Sequence, residues 1–263
     1  MMDAQLIKQL ADYVHHAEKE KREIKRITAE IYPDLTIEEA YLVQDELVKQ
    51  KLAEGKNIIG LKMGLTSEAK MKQMQVNNPL YGYVFDYMAI NDGETISMSD
   101  YIHPKAEPEI GFILNKDLEG PDVTLLDVLR ATEHVFPAIE IIDSRYENFE
   151  FTLPDVIADN TSASGVVLGA SLRRPETLEL DVVGVTLSIN GDIKALGAGA
   201  NVLGHPANSI VRLVHMLSQV GKKVKAGDMI LTGGITAAIP IKAGDHVVAK
   251  MGGLGEVSFL VKE

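Results

Sequence analysis

Apolar residues recur with a helical period through the first part of the chain, then switch to alternation or to short continuous runs from Ile58 onward. Leu6, Leu10 and Val14 form one helical stripe, and Ala40, Val43 and Leu47 form a second. Thr36 followed by Glu39 supplies a capping box for the second helix, just after the break at Pro33. Beyond Ile58 the β-like runs are separated by turns such as Asn91-Asp92-Gly93 and Asn190-Gly191. The clearest hairpin has Val183, Val185, Leu187 and Ile189 alternating into Asn190-Gly191 and returning through Ile193 and Leu196. Two more helices are predicted inside the β region. One runs from Leu125 to His134 behind a Thr124/Asp127 cap. The other runs from about Pro206 to Val220, with Ile210, Leu213, Val214 and Leu217 on one face and Gly221 past its end. Strands return from Met229 to Val261. The pattern is that of an α+β protein, with a helical N-terminal region over 1–57 and a β-rich domain over 58–263.

Composition agrees with this and narrows the partners. At 263 residues, 46% apolar and 24% charged, the chain can bury a substantial core, so a folded protein is expected. A formal charge of −12 argues against nucleic acid or an anionic membrane, both of which call for clustered Lys and Arg. A small molecule is the expected partner. The absence of cysteine rules out disulfides, a thiolate zinc site and a cysteine nucleophile. No apolar run reaches a membrane span, and Met1–Gln9 has neither a basic leader nor an apolar signal core, so a cytoplasmic location is expected.

The chemistry concentrates in carboxylates. Glu107 and Glu109 are separated only by Pro108, and on a strand that spacing puts both on one face, roughly 7 Å apart along the chain. Pro108 cannot donate to a central ladder, so an edge, a bulge or a strand end is predicted there. Glu140 sits in the continuous apolar run Phe136-Pro137-Ala138-Ile139-Glu140-Ile141-Ile142, the pattern of a fully buried strand. An ionised carboxylate there requires a partner. Arg145, a lysine or a metal would each serve, and Glu107 and Glu109 add oxygen ligands of the kind Mg²⁺ or Mn²⁺ prefers.

Lys62 lies in the glycine-flanked run Gly60-Leu61-Lys62-Met63-Gly64-Leu65-Thr66, where it is either a snorkelling edge residue or a buried cation facing a substrate anion. Gly233-Gly234-Ile235-Thr236-Ala237-Ala238 follows an apolar strand as either a plain loop or an anion-binding nest. It is neither a Walker nor a Rossmann motif. Asp159-Asn160-Thr161-Ser162 is a polar cluster fit to cap a turn or to bind a carboxylate, and His205 before Pro206 reads as a helix-entry residue.

Together, the Gly60–Thr66 run, Glu107-Pro108-Glu109, Glu140 with Ile142-Asp143-Ser144-Arg145-Tyr146, Asp159-Asn160, Leu203-Gly204-His205-Pro206 and the Thr232–Ala238 loop resemble the hydratase/decarboxylase branch of the fumarylacetoacetate hydrolase superfamily, over nearly the whole chain. The resemblance implies a mixed β-sheet roll or barrel-like core, with Glu107, Glu109 and Glu140 binding Mg²⁺ or Mn²⁺. It also implies Lys62 as a catalytic residue and Leu80, Asp159, Asn160, Ser162 and Thr236 in contact with substrate. Hydratases of this branch carry an aspartate in the place of Leu80 and typically lack the Gly-Ile-Thr-Ala-Ala run, and both departures favour decarboxylation. The reaction implied is release of CO₂ from 2-oxohex-3-enedioate to give 2-hydroxypenta-2,4-dienoate, in meta-cleavage catabolism of aromatic compounds. Homo-oligomerisation and a complex with the hydratase that consumes this product are also implied. The alternatives are a 2-hydroxypenta-2,4-dienoate hydratase and a non-catalytic partner subunit of one.

Overall fold

The computed structural model describes residues 2–73 and 78–263; Met1, the first residue of the stretch inspected above for a leader, lies outside them. Helix α1 spans Ala4–Glu20, α2 Ile27–Glu30 and α3 Ile37–Ala53. Asp3 caps α1 through the Leu6 N–H, and the Thr36/Glu39 capping box starts α3 as the sequence predicts. Strand β1 (Ile58–Gly64), helix α4 (Glu68–Gln73), and strands β2 (Leu80–Phe85), β3 (Ala89–Asn91), β4 (Thr95–Ser97) and β5 (Lys105–Leu114) follow. Helix α5 (Leu125–Ala131) leads into β6 (Thr132–Ile142), and α6 (Leu153–Ala158) leads through a short turn into β7 (Ala163–Leu168). Next come β8 (Gly184–Ile189), β9 (Asp192–Ala198), α7 (Pro206–Gln219), β10 (Met229–Leu231), β11 (Ile239–Pro240), β12 (His246–Met251) and β13 (Gly255–Lys262).

These strands form two mixed sheets. The larger runs β2-β1-β10-β5-β6-β7-β3, with β11 also paired to β5; the smaller runs β4-β13-β12-β8-β9. Three pairings are parallel, β1 with β10, β3 with β7 and β4 with β13, and the rest are antiparallel. Strands β12 and β13 lie against β6, so the sheets enclose one core containing Ile110, Phe112, Val135, Leu187, Val247 and Phe259. A second apolar cluster, with Leu10, Val14, Val43, Leu47, Leu80 and Ile157, packs α1 and α3 onto α6. Gln44, fully buried on α3, donates from one amide nitrogen to the carbonyls of Tyr81 and Ile157, tying that helical layer to β2 and α6. No helix among the described residues is long and apolar enough to cross a membrane.

One expectation needs correction. The helix after Thr124 ends at Ala131 rather than running to His134, because the chain turns extended at Thr132, whose hydroxyl donates back to the Val128 carbonyl. The hairpin at Asn190-Gly191 forms, with both residues at positive φ as a type I′ turn requires. Its returning strand nevertheless points Ile193 and Leu196 outward, at 59% and 70% exposure, because β9 is the sheet edge and these positions fall on its solvent side.

Candidate metal centre and active site

The site is built on the long β5/β6 pairing. Glu107 stands directly opposite Glu140 in the ladder, and Glu109 opposite Ala138. Alternation places Glu107 and Glu109 on one face of β5 while Ala106, Ile110 and Phe112 face the other way into the core. Like charges directly opposite one another destabilise a sheet unless something lies between them. Here the three carboxylates offer oxygens that all lie within 4.8 Å of one another.

Pro108 explains how such a cluster fits in the middle of a sheet. The strand is central, yet on the side away from β6 its partner is broken: β10 pairs with Gly111–Ile113 and β11 with Lys105–Ala106. The proline falls in the gap, where no ladder donor is needed. The Thr232–Ala238 loop spans that gap with three bonds. The Thr232 hydroxyl donates to the Ile110 carbonyl at 2.8 Å, the Gly233 N–H to Glu109 Oε2 at 2.6 Å, and the Ile235 N–H to the Pro108 carbonyl at 3.0 Å. Its glycines are required by close approach. A Cβ on Gly234 would stand 2.2 Å from Glu107 Oε2, and one on Gly233, at φ +102°, would stand 2.0 Å from the Thr66 hydroxyl.

Lys62 on β1 reaches the cluster from across β10. Its ammonium is buried, 3.0 Å from Glu140 Oε1, and donates to the Thr161 carbonyl at 2.9 Å. Burial alone would lower its pKa, but the charges of Glu140, Glu107 and Glu109 outweigh that and hold it above the ordinary lysine value. Glu109 is driven the other way. Complete burial, then the charges of Glu140 and Glu107, push its carboxyl well above the usual carboxylate range. Thus Lys62, not Arg145, partners Glu140. Arg145 is spent on Asp159 and on the Asp143 and Ala163 carbonyls.

Lys62 is held by a turn whose left-handed backbone the sequence did not announce. Asn160, Thr161 and Ser162 all have left-handed φ, at 47°, 52° and 56°, a conformation costly for Thr in particular. The turn survives because its side chains dock onto the edge strand β2. Asn160 Oδ1 accepts from the Tyr83 N–H at 2.8 Å, its Nδ2 donates to the Tyr83 carbonyl at 2.9 Å, and the Thr161 hydroxyl donates to the Tyr81 carbonyl at 2.8 Å. Gly82 accommodates this, since a Cβ there would meet the Asn160 carbonyl at 2.7 Å. The only hint in the sequence is Asn160, a residue type that tolerates positive φ.

The predicted substrate contacts therefore divide. Asp159 and Asn160 are engaged inside the protein. Both Asp159 oxygens accept from Arg145, so Asp159 offers no donor to an anion. Ser162 Oγ is buried without a hydrogen-bond partner among the described residues. Thr236 lies on the loop over the cluster, its hydroxyl donating, among the described residues, to the Ala237 carbonyl alone. Leu80 is buried, and a Cβ on Gly64 would touch both its Cβ, at 4.0 Å, and Lys62 Nζ, at 3.9 Å. His205 caps α7 by accepting from the Ala207 N–H, as its position before Pro206 suggests.

The residues suit a divalent cation on chemical grounds. Three carboxylates against one ammonium leave a net charge of −2 when all are ionised, and Glu109 Oε1 and Glu140 Oε2 are buried without hydrogen-bond partners among the described residues. An all-oxygen set of this kind fits Mg²⁺ or Mn²⁺.

Known proteins share this arrangement of chain and fold. Residues 57–262 match the C-terminal region of fumarylacetoacetate hydrolase. The chain is 45% identical over 249 residues to a 4-oxalocrotonate decarboxylase of Pseudomonas sp. (strain CF600), covering 95% of this chain and 94% of the relative. It is 39% identical over 255 residues to a 2-oxo-hept-4-ene-1,7-dioate hydratase of Escherichia coli, covering 95% of each. The solved structure of 4-oxalocrotonate decarboxylase from Pseudomonas putida G7, complexed with magnesium and adipate, superposes with a TM-score of 0.97 at 42% identity, covering 99% of both chains. With the family match spanning most of its length, this chain belongs to the fumarylacetoacetate hydrolase family.

Proposed function

We propose that this protein is a divalent-metal-dependent carboxy-lyase that removes CO₂ from 2-oxohex-3-enedioate and leaves 2-hydroxypenta-2,4-dienoate, a step in meta-cleavage catabolism of aromatic compounds. The observation that carries the reading is the cluster of Glu107 with the buried Glu109 and Glu140, and the Lys62 ammonium beside it. Decarboxylase relatives at 45% and 43% identity support the choice of reaction.

In this reading the three glutamates hold Mg²⁺ or Mn²⁺, which when bound supplies Lewis-acid stabilisation to the oxygens of the substrate's 2-oxo acid end. The substrate is a vinylogous β-keto acid. When its C5–C6 bond breaks and CO₂ departs, the electron pair forms the C4–C5 double bond, the C3–C4 pair moves to C2–C3, and the carbonyl pair settles on the 2-oxygen. Lys62 is the fixed cation for that charge, and its Nζ carries a proton at hand for the 2-hydroxyl. The strained Asn160–Ser162 turn keeps the ammonium in place through the Thr161 carbonyl. The unpartnered Ser162 hydroxyl and Thr236 are assigned to the substrate's carboxylates, while Asp159 and Asn160 serve by fixing the turn. Leu80 keeps the pocket apolar beside Lys62, which disfavours delivery of water and so favours decarboxylation over hydration.

The test is CO₂ release from 2-oxohex-3-enedioate with and without chelator. Release that stops on chelation and returns with Mg²⁺ or Mn²⁺ supports the proposal. Hydration of the dienol without CO₂ release would make the protein a hydratase. No turnover alone, but activation of a hydratase, would make it a partner subunit. Association with that hydratase and homo-oligomerisation belong to the same proposal and are read by light scattering of the two proteins apart and mixed.

A further inference from the structure

The face of β5 that carries Glu107 and Glu109 also carries Lys105, two residues before Glu107 and roughly 7 Å from it along the strand. Exposure rises along this face. Glu109 and Glu140 are buried at 0% and 1%, whereas Glu107, Lys105 and the residue opposite it, Ile142, are all partly exposed. At the other end the face is closed, because the Phe136 ring covers Gly111 so tightly that a Cβ there would lie 2.2 Å from it. The site therefore opens toward Lys105. The ammonium of Lys105 makes no ion pair with any described residue and rests 3.6 Å from the centroid of the Phe149 ring. Phe149 is presented by a backbone held at φ +60°, next to Asn148 at the same φ.

We propose that Lys105, seated on Phe149, receives the carboxylate of the substrate distal to the metal-facing end and so selects dicarboxylates over monocarboxylates. This inference rests on the decarboxylase reading and extends it. A six-carbon dicarboxylate with its 2-oxo acid end at the glutamate cluster points its other end along β5 toward the open mouth. In a protein with a formal charge of −12, an unpaired cation at an acidic site's mouth offsets the repulsion that a dianion would meet there. The distal carboxylate is the group lost as CO₂, so the Lys105 contact disappears with the reaction. The Phe149 face then remains as a partner for the ammonium. The substrate is a dianion and the product a monoanion, so Lys105 favours the former and does not retard departure of the latter.

The test compares binding of 2-oxoadipate and 2-oxohexanoate, saturated chains with and without the distal carboxylate, to the Mg²⁺-loaded protein by calorimetry. The expected preference for 2-oxoadipate is about fivefold, the upper size of effect that one exposed ion pair confers. It should collapse toward unity in Lys105→Gln, return in Lys105→Arg and shrink in Phe149→Leu, with the Mg²⁺ affinity of each variant matching that of the parent. With turnover, Lys105→Gln should lose kcat/KM through KM and flatten its dependence on ionic strength. A preference that survives in Lys105→Gln overturns the inference, whatever the outcome of the CO₂ assay. A parent protein that shows the preference but releases no CO₂ overturns the decarboxylase reading and leaves Lys105 as a dicarboxylate receptor.

Discussion

Glu107 and Glu140 face each other directly across the β5/β6 ladder, two acidic side chains in a position where a sheet ordinarily places opposite charges or apolar pairs. With Glu109 added, the fold concentrates negative charge that a cation must relieve. Mg²⁺ is therefore expected to stabilise the protein by about 2.7 kcal/mol at a concentration a hundred times its Kd, seen as a rise in Tm that chelator reverses. Glu109→Gln should raise Tm in chelator, by removing one of three crowded carboxyls, and abolish the Mg²⁺-induced rise. An apo variant less stable than the parent, still responsive to Mg²⁺, would contradict this account.

In the proposed mechanism the Lys62 ammonium, paired with Glu140, meets the charge that develops on the substrate. Lys62→Met should lower kcat by on the order of 10²- to 10³-fold, the usual effect of deleting one preorganised electrostatic donor. Lys62→Arg should not rescue it. The ammonium's hydrogen bond goes to the Thr161 carbonyl, whose side chain lies so close to Gly64 that a Cβ there would meet it at 2.7 Å, leaving no room for a planar guanidinium. Stopped-flow measurement of dienol formation distinguishes a chemical defect from slow product release.

Gly234→Ala tests the loop. Its new methyl would stand 2.2 Å from Glu107 Oε2, so either the loop or the carboxylate must move. A weakened Mg²⁺ affinity is expected, with a stability change of about 1–3 kcal/mol as in other overpacked sites. Titrating Tm against Mg²⁺ reads both effects in one experiment, and unchanged Mg²⁺ affinity would argue against the loop's role.

Glu18 on α1 makes stability sensitive to acid. Burial alone would raise its carboxyl, but the charges of Lys51 and Arg145, with hydrogen bonds from Lys51 and the Tyr87 hydroxyl, bring it down to about 2. A carboxyl whose folded pKa lies below its unfolded value of 4.5 stabilises fully above that value and loses its contribution as pH falls toward 2. The contribution is on the order of 3 kcal/mol. Urea denaturation of the parent and Glu18→Gln should show a gap at pH 7 that narrows steadily below pH 4.5. A gap independent of pH would mean that packing, not charge, accounts for it.

Much of the local structure was written in short-range chemistry. The Thr36/Glu39 and Thr124/Asp127 boxes, the Asn190-Gly191 turn and the apolar stripe of α7 each depend on residues within a few positions of one another, and each forms as read. Helix α5 shows the limit. Thr132, Glu133 and His134 fit either a helix or a strand by pattern, and pairing with β5 drew them into β6.

The site divides in the same way. Periodicity alone places Glu107 and Glu109 on one face, and the cost of a lone buried charge alone demands a partner for Glu140. Both features depend only on neighbouring residues. Which partner it takes is a tertiary matter. Arg145, near in sequence, is drawn to Asp159, while Lys62, far away, arrives across β10. The gap that excuses Pro108 depends on where β10 stops and β11 begins, and the left-handed turn at Asn160–Ser162 depends on the backbone of β2 being there to receive it. Sequence by itself determined that Glu107 and Glu109 share one face and that Glu140 needs a partner, because spacing and burial are local quantities. Only the tertiary structure decided which charges meet, because a sheet joins residues through strand order, and strand order is settled by packing of the whole core.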